Sequence, residues 1–283
     1  ETWPNRLESI LNKKNKTNKN YNVYNAGVIG YSFGQYLLQY RRLVNTLKPD
    51  IVIVGFSMAT DLYDIKKPTN GKFVYGESKG RVYFDLDSKG RLIEKREFVG
   101  IEDISKLNLK NKLGKQLESL SNLQKLHIFT ARHIATYRIL KRTKVAYLIG
   151  SYLSKGDKGG LIPATSVSVR KDLSEEMKWS WAIIKELINQ LNEEVDSNGG
   201  KLYLVNIPYV PQLYEEVWDI SFGLDESKYD RFIGNRRIKA ICEELKVKFI
   251  DTTFSLKNRS NELKEWVHYP FDAHPTPEGH KVI

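Results

Sequence analysis

Ile51-Val52-Ile53-Val54-Gly55-Phe56 is an unbroken apolar run, and it is strand-sized. No polar residue alternates through it, so neither face is marked for water; that is the pattern of a central strand in a parallel sheet, covered on both sides. Immediately before it, Pro49-Asp50 breaks a helical pattern over Ser32 to Leu47, whose Tyr36, Leu37, Tyr40, Leu43, Val44 and Leu47 recur at three-to-four spacing. Further upstream, Tyr21-Asn22-Val23-Tyr24-Asn25-Ala26 reads as a short strand, and Gly27-Val28-Ile29-Gly30-Tyr31-Ser32 as a Gly-punctuated turn. Strand, helix and strand with tight connections make a βαβ unit, which crosses over right-handed. Glu1 to Leu11 is an amphipathic helix, with Trp3, Leu7, Ile10 and Leu11 on one face.

The same rhythm returns in the second half. Leu173 to Val195 is a helix with Met177, Trp181, Ile184, Ile188 and Leu191 on one stripe, closed by Asn198-Gly199-Gly200. Lys201 to Pro208 is a buried strand, Asn235 to Leu245 a helix, Val247 to Asp251 a strand, and a last helix starts at Gly279. The expected fold class is α/β with a mostly parallel sheet. Ligands of such sheets bind beyond the carboxyl ends of the strands. Gly27 to Gly30, Phe56 to Asp61, Ile207 to Tyr209 and a loop holding Asp272 and His274 all belong at that edge.

Between the halves the pattern changes. Phe73-Val74-Tyr75, Val82 to Leu86 and Leu92-Ile93-Glu94 are short strand-like runs separated by Ser78-Lys79-Gly80 and Ser88-Lys89-Gly90, as in an antiparallel hairpin or meander. Lys106 to Gly150 is basic and helical, and Lys155 to Gly160 is a Gly-rich loop. Residues from about 66 to 165 are expected to insert into a single domain as a cap or side layer.

Composition narrows the function classes. The chain has 283 residues, 41% of them apolar, enough for a substantial core. No apolar run approaches the ~20 residues of a membrane span, and no signal peptide is visible. One cysteine, Cys242, excludes an intrachain disulfide; its place in the run Ile238, Ile241, Cys242, Leu245 marks it as core. With one cysteine and no cluster of histidines, no metal is expected. The net charge of +11 suits polyanionic partners or a merely solvated basic face. No fold signature of specific nucleic-acid binding accompanies it.

The chemistry concentrates near the carboxyl end, in Phe271-Asp272-Ala273-His274-Pro275-Thr276-Pro277-Glu278-Gly279-His280. A carboxylate two residues from an imidazole can hold one ring nitrogen and leave the other to take a proton, as a general base requires. An Asx turn in a solvated loop, followed by a Pro-initiated helix, accounts for the same residues without chemistry.

Three blocks in order resemble the SGNH (GDSL-type) hydrolase superfamily. Asn25-Ala26-Gly27-Val28-Ile29-Gly30 is similar to its second block, with Gly30 at the position that gives a backbone N–H to the oxyanion hole. Val54-Gly55-Phe56-Ser57-Met58-Ala59-Thr60-Asp61 is similar to the third block, with Thr60 where the family has an oxyanion-hole Asn. Asp272-Ala273-His274-Pro275 with Gly279-His280 is similar to the fifth block, which carries the acid and the base. The resemblance implies a three-layer, flavodoxin-like α/β/α sandwich and a serine esterase acting through His274 and Asp272. It implies no cofactor, and a small acyl ester or an O-acetylated glycan as substrate.

The first block, a strand ending in Gly-Asp-Ser, has no counterpart here. Glu1-Thr2-Trp3-Pro4-Asn5-Arg6-Leu7 resembles the helix that the family enters shortly after its nucleophile. One account is a fragment trimmed at both ends, its nucleophile and central first strand lying upstream; the other is a non-catalytic relative. Ser32 suits a helix N-cap and Ser57 a strand end, so neither is the expected nucleophile. His280 is read as a helix residue, Asp61 and Asp64 as loop anchors, and His127, His133 and His268 as surface or insertion residues. The basic insertion (Lys106, Lys110, Lys112, Lys115, Lys125, Arg132, Arg138, Lys141, Arg142, Lys144) offers a contact to an anionic surface. Acyl transfer to a sugar hydroxyl, carbohydrate binding without catalysis, and charge-driven nucleic-acid binding are the rival functions.

Overall fold

The structure, a computed structural model, describes residues 3–16, 20–58, 60–62, 65, 82–96, 143–145, 148, 168–221, 225–270 and 274–283. Numbered within those residues, the helices are α1 (Trp3–Lys14), α2 (Phe33–Leu47), α3 (Glu175–Ser197), α4 (Val210–Leu213), α5 (Glu215–Ser221), α6 (Ile233–Glu244), α7 (Thr253–Leu263) and α8 (Pro277–His280). The strands are β1 (Ile51–Ser57), β2 (Val82–Leu86), β3 (Leu92–Arg96), β4 (Lys201–Ile207) and β5 (Lys248–Asp251).

β1, β4 and β5 form a parallel sheet in that order, with Ile51 opposite Lys201, Ser57 opposite Ile207 and Asn206 opposite Asp251. Both connections are long and carry helices, as parallel pairing requires. The mixed α/β class with a parallel sheet is thus as expected. Val54 and Phe56 are buried on one face, where Phe33 of α2 meets Phe56 at a ring-centroid distance of 5.4 Å. Ile183, Ile184, Leu187, Ile188 and Leu191 of α3 fill the same core with Leu37, Leu204, Ile238 and Cys242. Gly55, between Val54 and Phe56, faces the other way, and a Cβ there would lie 3.5 Å from the Trp3 ring of α1. Helices therefore cover both faces. A second apolar cluster joins α4, α5 and α7 to the chain end through Val210, Leu213, Tyr214, Val217, Leu256 and Val267.

The expected hairpin is present: β2 and β3 pair antiparallel, Val82 opposite Arg96 and Leu86 opposite Leu92. The remaining insertion readings, Phe73 to Tyr75 and most of Lys106 to Gly150, lie outside the described residues. One expectation differs. Tyr21 to Ala26 has no regular strand structure. Side chains of α1 hold it instead: Asn12 bonds the backbone of Tyr21 in both directions, at 2.8 and 2.7 Å, and Glu8 accepts the Val23 N–H at 2.6 Å. A strand needs a neighbouring backbone, and among the described residues this segment pairs with none.

Candidate active site

α2 runs back along β1, so its start lies at the carboxyl end of that strand. The Ser32 hydroxyl and N–H both donate to the Gln35 side-chain oxygen, at 2.8 and 3.2 Å. Gln35 thereby holds the helix entry from its first turn, and Ser32, only 4% exposed, has its hydroxyl committed there; Ser32 sits at the N-cap it suits. Just before it, Val28 to Tyr31 makes a turn closed by the Tyr31 N–H on the Val28 carbonyl at 3.2 Å. Gly30 sits there at φ 77°, a left-handed conformation that glycine takes without strain. The turn is exposed, and Ile29 stands fully in solvent.

Beyond β1 the chain folds into a tight loop. Asp61 is buried, its N–H donating to the Ser57 carbonyl at 3.0 Å, while its Oδ2 accepts the Ser57 N–H at 2.8 Å. The anchoring role expected of Asp61 is therefore seen; Asp64 lies outside the described residues. Thr60 is exposed, and its hydroxyl is 3.4 Å from Asp61 Oδ1. That is well beyond the usual hydroxyl–oxygen separation of about 2.8 Å, so the Thr60 proton is held loosely and can rotate toward a stronger acceptor.

The histidine loop is braced from both ends. Val267 N–H donates to the Tyr214 hydroxyl at 2.8 Å, Tyr269 N–H to the His274 carbonyl at 2.9 Å, and Thr276 N–H to the Val267 carbonyl at 2.8 Å. His268 and Pro275 form an antiparallel bridge. Thr276 caps α8 by accepting the Gly279 N–H at 3.3 Å, and Glu278 pairs with Arg259 at 2.7 Å. Tyr214, whose ring stacks on Trp266 at 4.2 Å, is pushed up to about 12 by burial. This frame leaves His274 exposed to solvent. Asp272 lies outside the described residues.

His268 corrects an expectation. It is not a surface residue but wholly buried, because its bridge to Pro275 turns the ring inward beside Pro208. Among the described residues neither ring nitrogen finds a hydrogen bond of good geometry. Burial drives its pKa down to about 4; the Pro208 carbonyl opposes this, and the charges of His280 and His274 add to it. His280 is held below its ordinary value, chiefly by burial, and belongs to α8 as expected. His127 and His133 lie outside the described residues, as do the insertion's basic residues except Lys144, which pairs with Glu216 at 2.5 Å and lies 5.0 Å over the Trp266 ring.

These pieces share one edge. Ser57 and Ile207 end adjacent parallel strands, Thr60 follows the first, and Pro208 follows the second and meets His268. Tyr36, in the first turn of α2, donates to Asp61 at 3.1 Å, bringing the Gly30 turn to the same edge.

Behind the edge lies a buried polar network that sequence reasoning missed. Asn206 donates to Asp251 at 3.1 Å, Asn235 to Asp251 at 2.8 Å, and Gln212 to Asn235 at 2.6 Å. Arg231 closes it on the Gln212 carbonyl at 3.0 Å and on Glu215 at 2.6 Å. The one signal for it in the sequence is Asn206, a polar residue inside an otherwise apolar strand. No three His, Cys, Asp or Glu side chains among the described residues are grouped to hold a metal ion, and no described helix is long and apolar enough to cross a membrane. Comparison with protein-family models, with curated proteins and with solved structures yields no match.

Proposed function

We propose that this chain belongs to a serine esterase of the SGNH type, built as a three-layer, flavodoxin-like α/β/α sandwich, that hydrolyses small acyl esters, O-acetyl groups on carbohydrate above all. The observation that carries the reading is an exposed imidazole, His274, on a braced loop whose His268 meets Pro208 at the end of β4, beside the strand end that Thr60 follows. The attacking serine is assigned to residues preceding Glu1. Two features support a strand there. β1 pairs only with β4 among the described residues. Ile51, Tyr24, Val28 and Ile29 are 51%, 65%, 46% and 103% exposed, apolar surface left bare among the described residues. A charge contact through the basic insertion to an anionic surface belongs to the same proposal.

In this mechanism the serine oxygen attacks the ester carbonyl as His274 takes its proton, with Asp272 orienting the ring. The oxyanion is met by the Gly30 N–H, the nucleophile's own N–H and the Thr60 hydroxyl. His274 then returns the proton to the departing alcohol, leaving an acyl-serine. Water, deprotonated by His274, attacks that ester; collapse releases the carboxylic acid and restores the serine. No step needs an electron acceptor or a cofactor.

The test uses the full-length protein with an aryl acetate and a serine-reactive phosphonate. Turnover and stoichiometric labelling are expected, with His274→Ala lowering kcat by about 10³-fold or more. Absence of both from the wild-type protein refutes the esterase. Acyl transfer to added glycan that outruns hydrolysis would move the assignment to a transferase.

A further inference from the structure

Asp61 is only 5% exposed, and its carboxylate joins two segments 25 residues apart in sequence. On its own side, Oδ2 accepts the Ser57 N–H at 2.8 Å, Oδ1 faces the Thr60 hydroxyl at 3.4 Å, and the Asp61 N–H returns to the Ser57 carbonyl at 3.0 Å. Ser57 to Asp61 is thus a closed loop wrapped around one carboxylate. Across the gap, Oδ2 also accepts the Tyr36 hydroxyl at 3.1 Å. Tyr36 is rigidly placed: its N–H bonds the Ser32 carbonyl at 2.9 Å, and its ring meets Phe33 edge-on at 5.8 Å. Ser32 is itself locked by Gln35, and Gly30 stands two residues before it.

A single buried acceptor therefore ties the loop bearing Thr60 to the helix whose entry turn bears Gly30. A carboxylate is a stronger acceptor than a neutral group, and here one carboxylate oxygen accepts from both the Ser57 N–H and the Tyr36 hydroxyl, which couples the two segments. The geometry points to Asp61, with Tyr36 as its arm to α2, as the positioning residue that sets the separation of the two oxyanion donors; this rests on the esterase reading above. Donors to a developing oxyanion act only when pre-set within a few tenths of an ångström. An apolar contact at Asp61 would hold the loop to α2 without fixing the separation of the two segments.

The experiment compares full-length wild-type protein with Asp61→Asn and Tyr36→Phe. Asparagine replaces one acceptor oxygen by a donor that opposes the Ser57 N–H or the Tyr36 hydroxyl. Phenylalanine removes only the hydroxyl and keeps the ring against Phe33, so it stays informative if the first variant fails to fold. Amide hydrogen exchange at Ser57 and Asp61 is read by NMR, alongside kcat and KM on an aryl acetate. The expected result is exchange about tenfold faster at both amides, and kcat lowered about 10- to 100-fold with KM within about twofold. Unchanged exchange in Tyr36→Phe overturns the proposal, whatever the rates. Faster exchange with unchanged kcat in an active enzyme overturns the positioning role. Faster exchange in a protein whose wild type shows no His274-dependent turnover leaves Asp61 as the strut and refutes the esterase.

Discussion

Thr60 carries more of the chemical argument than its size suggests. In the esterase proposed above it would be an oxyanion donor, and a hydroxyl has one proton on a free rotor where a side-chain amide is held in a plane. The long 3.4 Å contact to Asp61 gives that proton a resting place without committing it. Thr60→Val keeps the shape and removes the donor, so kcat on an aryl acetate should fall by about 10²-fold with KM nearly unchanged. A loss confined to KM would show that Thr60 binds substrate rather than its oxyanion. Cys242 sets the contrast: buried, with its thiol pushed up to about 12 chiefly by desolvation, it is inert packing. Thiol-directed reagents should leave the native protein unmodified and react only after denaturation.

At the scale of elements, the loop that presents His274 depends on the close approach of α8 to the strand-like segment before it. A Cβ on Gly279 would lie 2.4 Å from the Val267 carbonyl oxygen, a backbone atom that cannot swing aside. Gly279→Ala should force the two apart and cost about 1–3 kcal/mol in urea unfolding, the range for overpacking a tight contact. It should also lower kcat, because Val267 and Thr276 share the bond that braces the loop. Unaltered stability would mean that α8 is free to shift. Elements with a strong period or a continuous apolar run are legible in the sequence: α2 with its Ser32 cap, α3, α6, β1, β4, β5 and the 82–96 hairpin. Others are not, for physical reasons. α4 and α5 are too short to show a period. α7 offers few apolar residues and is held by buried Thr253, Leu256 and Ser260, two of them polar. Tyr21 to Ala26 alternates like a strand, but alternation only prepares a segment for a neighbour that the described residues do not supply. His274 is singled out by its motif, whereas the inward turn of His268, six residues earlier, is not legible, because no local pattern announces that a loop histidine will be buried.

For the whole molecule, that inward histidine couples folding to pH. His268 is neutral when folded, with a pKa of about 4 against an ordinary 6.5. Because the folded value is depressed, the unfolded chain binds a proton first as pH falls. The stabilising difference is complete above pH 6.5, shrinks below it, and is gone below about 4. The full span corresponds to roughly 3 kcal/mol at about 1.4 kcal/mol per pKa unit. His280, lowered in the same direction, adds to the slope. Carboxylates held below their ordinary values, Asp230 and Glu216 among them, act at lower pH: they stabilise above the carboxylate range and lose that contribution as pH falls through it. Between pH 7 and 4.5 the histidines therefore dominate. His268→Leu, close in volume and without a titrating group, separates the two sources. Urea unfolding should show the wild type losing about 2 kcal/mol more than the variant over that interval. Parallel pH profiles would mean that the His268 ring reaches solvent in the folded protein, and the inward packing of the loop behind His274 would have to be abandoned.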